Sequence, residues 1–148
     1  MPRDPYRLDD TRTWLDYAKG DLATAEDLLR LPTPHARSVV FHCQQAAERA
    51  LKASLTWHDR PFGKIHSLEE LGESCAGVAP SLGQVVDRAV PLSKYASRFR
   101  YPGAPYAPKL QEAERALELA REVMRAVLTR LPDEVQPLRG GEAGRNFR

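Results

Sequence analysis

Arg88, Lys94, Arg98, Arg100 and Lys109 all fall between Asp87 and Lys109, where Asp87 is the one opposing acid. Tyr95, Phe99, Tyr101 and Tyr106 are threaded among them. Cationic side chains hold phosphate oxygens and planar rings stack on bases, so this mixture suits a nucleotide or single-stranded RNA site. Arg98 and Arg100 alternate with Phe99 and Tyr101, and Pro102 follows at once, fixing the local backbone. Both guanidiniums are therefore candidates for phosphate contact. Tyr95 and Tyr101 suit either a stacking platform or half-buried packing with a satisfied hydroxyl.

A second polar set follows helical spacing. His42, Gln45, Arg49 and Lys52 recur at steps of three and four, forming one stripe that faces either a polar ligand or solvent. Lys52 is its leading phosphate candidate, because an ammonium needs no special pKa to meet an anion. Gln44 and Glu48 read as solvent cover beside it. His66 precedes a capping box and is a further candidate ligand contact.

Several chemistries fail on spacing. A di-iron bundle uses Glu-x-x-His pairs, yet the residues three before His35, His42, His58 and His66 are Pro32, Val39, Leu55 and Gly63. No two histidines are spaced for zinc beside a cysteine or acid. Gly63-Lys64 lacks the glycines of a phosphate loop, and no serine or cysteine lies in a nucleophile motif. The reading assigns no catalytic residue, no metal ligand and no cofactor. Cys43 and Cys75 are far apart and read as buried thiols of a reducing, cytoplasmic compartment.

These residues need elements to position them. The chain has 148 residues, 42% hydrophobic and 28% charged, with a net charge of +2, the profile of one globular domain. Such a charge is too small to imply nucleic-acid binding by itself; the local clustering does that. No apolar run approaches the roughly 18 residues of a membrane span, and the polar start from Met1 to Asp10 resembles no secretory signal.

Apolar periodicity predicts a helix from about Asp10 to Leu31, through Trp14, Ala18, Leu22, Ala25 and Leu29. A second, opened by Thr33-Pro34, runs to about Trp57 with a small-residue face of Val39, Cys43, Ala46, Ala47, Ala50 and Ser54. Ser67-Leu68-Glu69-Glu70 opens a short helix ending near Gly77. Another starts at Pro80-Ser81 and is interrupted by Pro91. The last spans Lys109 to Leu131 along Leu110, Ala113, Leu117, Ala120, Met124 and Val127, with a Glu118–Arg121 pair on its surface. The expected fold is all-α: an up-and-down bundle of four to five helices with a short-helix insertion before the last long helix. Residues 1–131 form the bundle, and 132–148 form a mobile polar tail.

In order, Asp21-Leu22-Ala23-Thr24-Ala25, the run Phe41-His42-Cys43-Gln44-Gln45-Ala46-Ala47-Glu48-Arg49-Ala50-Leu51-Lys52-Ala53, His66-Ser67-Leu68-Glu69-Glu70-Leu71 and Arg100-Tyr101-Pro102 resemble the HEPN family (higher eukaryotes and prokaryotes nucleotide-binding). The resemblance covers about residues 10 to 130. It implies a helical domain that binds nucleotide or RNA, is often a homodimer, and is often paired with a minimal nucleotidyltransferase in a toxin–antitoxin system.

Many HEPN proteins are metal-independent RNases that carry an Arg, a few arbitrary residues and a His near the start of the last helix. Here the permitted His positions after Arg100 hold Pro105, Tyr106 and Ala107, and those after Arg98 hold Gly103, Ala104 and Pro105. Tyr106, with an ordinary pKa of about 10, is a poor general base at neutral pH. Arg60 and His66 match the spacing but lie before the short helix. Three readings follow: a nucleotide- or RNA-phosphate-binding module, an RNase with a different acid/base group, and a non-catalytic dimeric interaction domain.

Overall fold

The computed structural model describes residues 5–94 and 107–136. Tyr95, Arg98, Arg100, Tyr101 and Tyr106 lie outside these residues, as does the chain from 137 onward. Among the described residues there are five α-helices: α1 (Pro5–Leu29), α2 (Ala36–Trp57), α3 (Leu68–Ala76), α4 (Gly83–Ala89) and α5 (Leu110–Thr129). Short 3₁₀ turns at Pro80–Leu82 and Val90–Ser93 flank α4, and a third lies at Asp133–Val135. No strand occurs among the described residues. The all-α bundle expected from periodicity is what forms.

Helix α2 is the axis of the molecule. It packs along α1 on one side and α5 on another, and touches α3. Its small-residue face explains this: Cys43, Ala46, Ala47, Ala50 and Ala53 are fully buried, and their short side chains let neighbouring helices approach closely. Leu15, Ala18 and Ala25 of α1 and Ala113, Ala120, Val123 and Val127 of α5 complete the core around it.

Element ends differ in instructive ways. Helix α1 begins at Pro5, where a fixed φ suits the first turn. Helix α2 begins at Ala36, later than Thr33-Pro34: the Val39 amide donates to the His35 carbonyl at 3.0 Å, so the first helical bond starts at His35, which provides no side-chain cap. Helix α3 starts as its capping box predicts, with Ser67 Oγ accepting from the Glu70 amide at 3.4 Å. Its first amide, that of Leu68, instead donates to Ser93 Oγ at 2.9 Å, joining the α3 start to the turn after α4. Pro91 falls inside the 3₁₀ turn that ends α4.

Three further expectations are corrected. Glu118 pairs with Arg115 at 3.0 Å, while Arg121 reaches across to Glu26 of α1 at 3.0 Å, so the predicted Glu118–Arg121 pair gives way to an interhelix contact. Gln44 and Glu48 are buried at 0% and 3% exposure, because α3 and the loop before it cover that side of α2. Finally, the body continues past α5. Val135 is fully buried, and Gln136 Nε2 donates to the Leu128 and Leu131 carbonyls.

Candidate functional site

The polar stripe of α2 is organised by two buried carboxylates. Asp21, on α1, receives His42 Nδ1 at 3.0 Å on one oxygen and Arg49 Nη1 at 2.7 Å on the other. The Arg49 guanidinium also lies over the Tyr17 ring, 5.4 Å from its centroid. Asp21 thereby clamps α1 to two turns of α2.

Glu48 does the same for the loop between α2 and α3. It accepts from Lys52 Nζ at 3.2 Å, Gln44 Nε2 at 3.2 Å and His66 Nδ1 at 3.2 Å. Gln44 Nε2 also approaches the His66 carbonyl at 3.4 Å, and Gln45 donates to Gln44 Oε1 at 2.7 Å. Lys52, 5% exposed, is enclosed by Trp14 and Phe62, whose ring centroids each lie 5.4 Å from Nζ. Trp14 meets Phe62 edge-on at 5.8 Å. A buried ammonium needs a counter-charge, which Glu48 supplies, and the two π faces add to its stabilisation.

The stripe residues His42, Gln45, Arg49 and Lys52 are thus brought together, but on internal partners. Lys52 has its anion in Glu48. His66, by contrast, joins the same network with its side chain half exposed.

A different group of cations surrounds an open cleft. The space between the Val90–Ser93 turn and α5 has a volume of about 320 Å³. Arg88, Lys94 and Arg115 line it together with one acid, Glu112, over apolar surface from Leu92 and Ala116. Each cation pairs with a carboxylate near the surface: Arg88 with Glu122 at 3.3 Å, Lys94 with Glu112 at 3.3 Å, and Arg115 with Glu118 at 3.0 Å.

Magnitudes separate the two groups. Exposed pairs contribute about 0–1 kcal/mol, so a phosphate can displace their carboxylates at little cost. Breaking a buried pair costs about 3–5 kcal/mol. Arg88 and Arg115 are therefore held less firmly by their carboxylates than Lys52 is by Glu48. Arg88 and Lys94 belong to the segment singled out by charge and aromatic content; Arg115 was missed, because on a mixed-charge helix it reads as surface.

Neither cysteine has nucleophilic character. Burial pushes the Cys43 thiol from an ordinary 9.0 up to about 12, against a smaller lowering by Arg121. Burial likewise pushes Cys75 up to about 12, and its Sγ donates weakly to the Leu51 carbonyl at 3.6 Å. Among the described residues no group of three or more His, Cys, Asp or Glu is arranged to hold a metal ion.

With this arrangement in view, comparison with protein families is decisive at the level of class: a family model described as HEPN domain matches residues 11–131. The chain belongs to the HEPN domain family, nucleotide- or RNA-related helical modules. No match was found among curated proteins or among solved structures. No helix among the described residues is long and apolar enough to cross a membrane.

Proposed function

We propose that this chain is a HEPN module that binds the phosphates of a nucleotide or of single-stranded RNA on the face carrying Arg88, Lys94 and Arg115. Arg98 and Arg100 follow Lys94 within a few residues and supply further guanidiniums, with Tyr95 and Tyr101 as stacking surfaces. The observation that carries this reading is the cation-lined cleft beside α5, whose acids lie near the surface and are weakly held. His42 and Lys52 contribute by fixing α2 against α1 and the following loop, and Gln45 by holding the Gln44 amide. The module acts as a homodimer in the cytoplasm, beside a minimal nucleotidyltransferase in a toxin–antitoxin pair; the family supports these partners, not the cleft.

The test is titration of fluorescently labelled single-stranded RNA at two salt concentrations, with ATP and GTP as competitors. Binding that weakens steeply with salt, and weakens further in Arg98→Ala and Arg100→Ala, is the expected outcome. Absent or salt-insensitive binding overturns the proposal and leaves an interaction domain.

A further inference from the structure

One face of α1 stays open to solvent. Tyr6, Thr13, Tyr17, Gly20 and Thr24 follow one another at helical steps that place them on a single strip, and all five are exposed. Tyr6 is 75% and Tyr17 53% exposed, and Leu31, two residues past the helix, is 40% exposed. The Thr13 and Thr24 hydroxyls donate to the carbonyls of Asp9 and Gly20, each at 2.9 Å, so burying the strip leaves neither unsatisfied. Nothing among the described residues calls for glycine at position 20. A Cβ there would meet nothing within 4 Å, yet a mid-helix glycine costs about 1 kcal/mol relative to alanine. A gap beside a projecting ring is what a second helix needs for close packing.

The strip matches itself when reversed. Two copies of α1 laid antiparallel, with Tyr17 over the partner's Gly20, bring Thr13 opposite the partner's Thr24 and Tyr6 opposite the partner's Leu31. One register thus gives each exposed ring an apolar or small neighbour, as a two-fold interface requires. The charges agree. Asp9, Asp16, Lys19 and Arg30 stand exposed along one edge of the strip, and none has an ion-pair partner among the described residues. The same register carries Asp9 toward the partner's Arg30 and Asp16 toward the partner's Lys19, and symmetry repeats both pairs. A parallel arrangement would set each of these charges against its own copy.

We infer that this face of α1 docks a second copy of the chain, antiparallel and two-fold, with Tyr17 seated on the partner's Gly20. The inference rests on the homodimer reading and gives it an interface. None of the residues lining the cationic cleft belongs to α1, so interface and cleft are tested separately.

The experiment is sedimentation equilibrium of the full chain over a concentration series, which gives the dimer Kd. Gly20→Leu fills the gap and should weaken the dimer about 5-fold or more. The helix itself tolerates leucine better than glycine, and circular dichroism of the variant checks that it is kept. Asp16→Lys and Lys19→Asp should each weaken the dimer as well, because like charges then meet across the interface. An equimolar mixture of these two variants should recover the dimer, since each then supplies the charge the other lacks. Contacts within one helix cannot produce that recovery. A mixture that stays monomeric overturns the antiparallel register. A wild-type dimer whose Kd none of the three substitutions changes overturns this interface and leaves the homodimer reading standing. A wild-type chain that is monomeric at every concentration removes the homodimer reading, and this inference with it.

Discussion

The Glu48 carboxylate and the Lys52 ammonium, one helical turn apart, lie 3.2 Å from each other with 3% and 5% exposure. Within an isolated helix such a spacing contributes only a few tenths of a kcal/mol. Burial changes its weight, because either partner left alone is a desolvated charge. Glu48→Ala should therefore cost about 3–5 kcal/mol, and Lys52→Met should cost less in a Glu48→Ala background than in wild type. Urea denaturation of the two single variants and the double variant measures this coupling. Additive losses would remove the case for a buried pair.

The cleft cations should behave in the opposite way. Arg88→Gln and Arg115→Gln break surface pairs and should change stability by no more than about 1 kcal/mol. Both should weaken RNA binding and flatten its salt dependence. Arg49→Ala, which releases the buried Asp21 carboxylate, should instead lower the denaturation midpoint. A variant series in which affinity tracks stability would contradict the division between the two groups.

Helix packing gives a third prediction. Gly72 of α3 faces Val86 of α4, and a Cβ added at Gly72 would collide with the Val86 side chain. Gly72→Ala should destabilise the protein by about 1–3 kcal/mol through overpacking. Val86→Ala combined with Gly72→Ala should recover part of that loss. Calorimetry reads both, and a neutral Gly72→Ala would show that α4 shifts freely.

The thiols set the alkaline limit. Folding raises Cys43 and Cys75 from an ordinary 9.0 to about 12 through burial. The unfolded chain gives up these protons first. The stability they contribute is complete below pH 9.0 and is lost as pH climbs toward about 12. Alkylation at pH 8 should be slow in the native protein and rapid in denaturant. Rapid native labelling would mean that these thiols are reached by local opening.

Periodicity made the helices legible because apolar positions at Ala25, Ala46, Ala47, Ala50 and Val127 report a buried face directly. The α3 start was legible too, since Ser67 and Glu70 are local partners. What remained hidden depended on distant chain. Nothing near Glu48 in sequence reveals that the loop carrying His66 folds over it, so Gln44 and Glu48 read as solvent-facing. Asp21 likewise gains meaning only opposite His42 and Arg49. The Arg115 side of the cleft arises from tertiary packing of α5 against α4. The residues drawn together on the α2 stripe were anticipated; their carboxylate anchors were not.

The first amide of a helix ordinarily faces water, yet that of Leu68 is held by a hydroxyl from far along the chain. Its proton is therefore a built-in gauge. Deuterium uptake at this one position will rise whenever the turn leading into Lys94 is drawn away from α3, and will slow when a bound molecule steadies the junction. Occupancy of the cationic face could thus be followed without a label, from a single exchanging hydrogen.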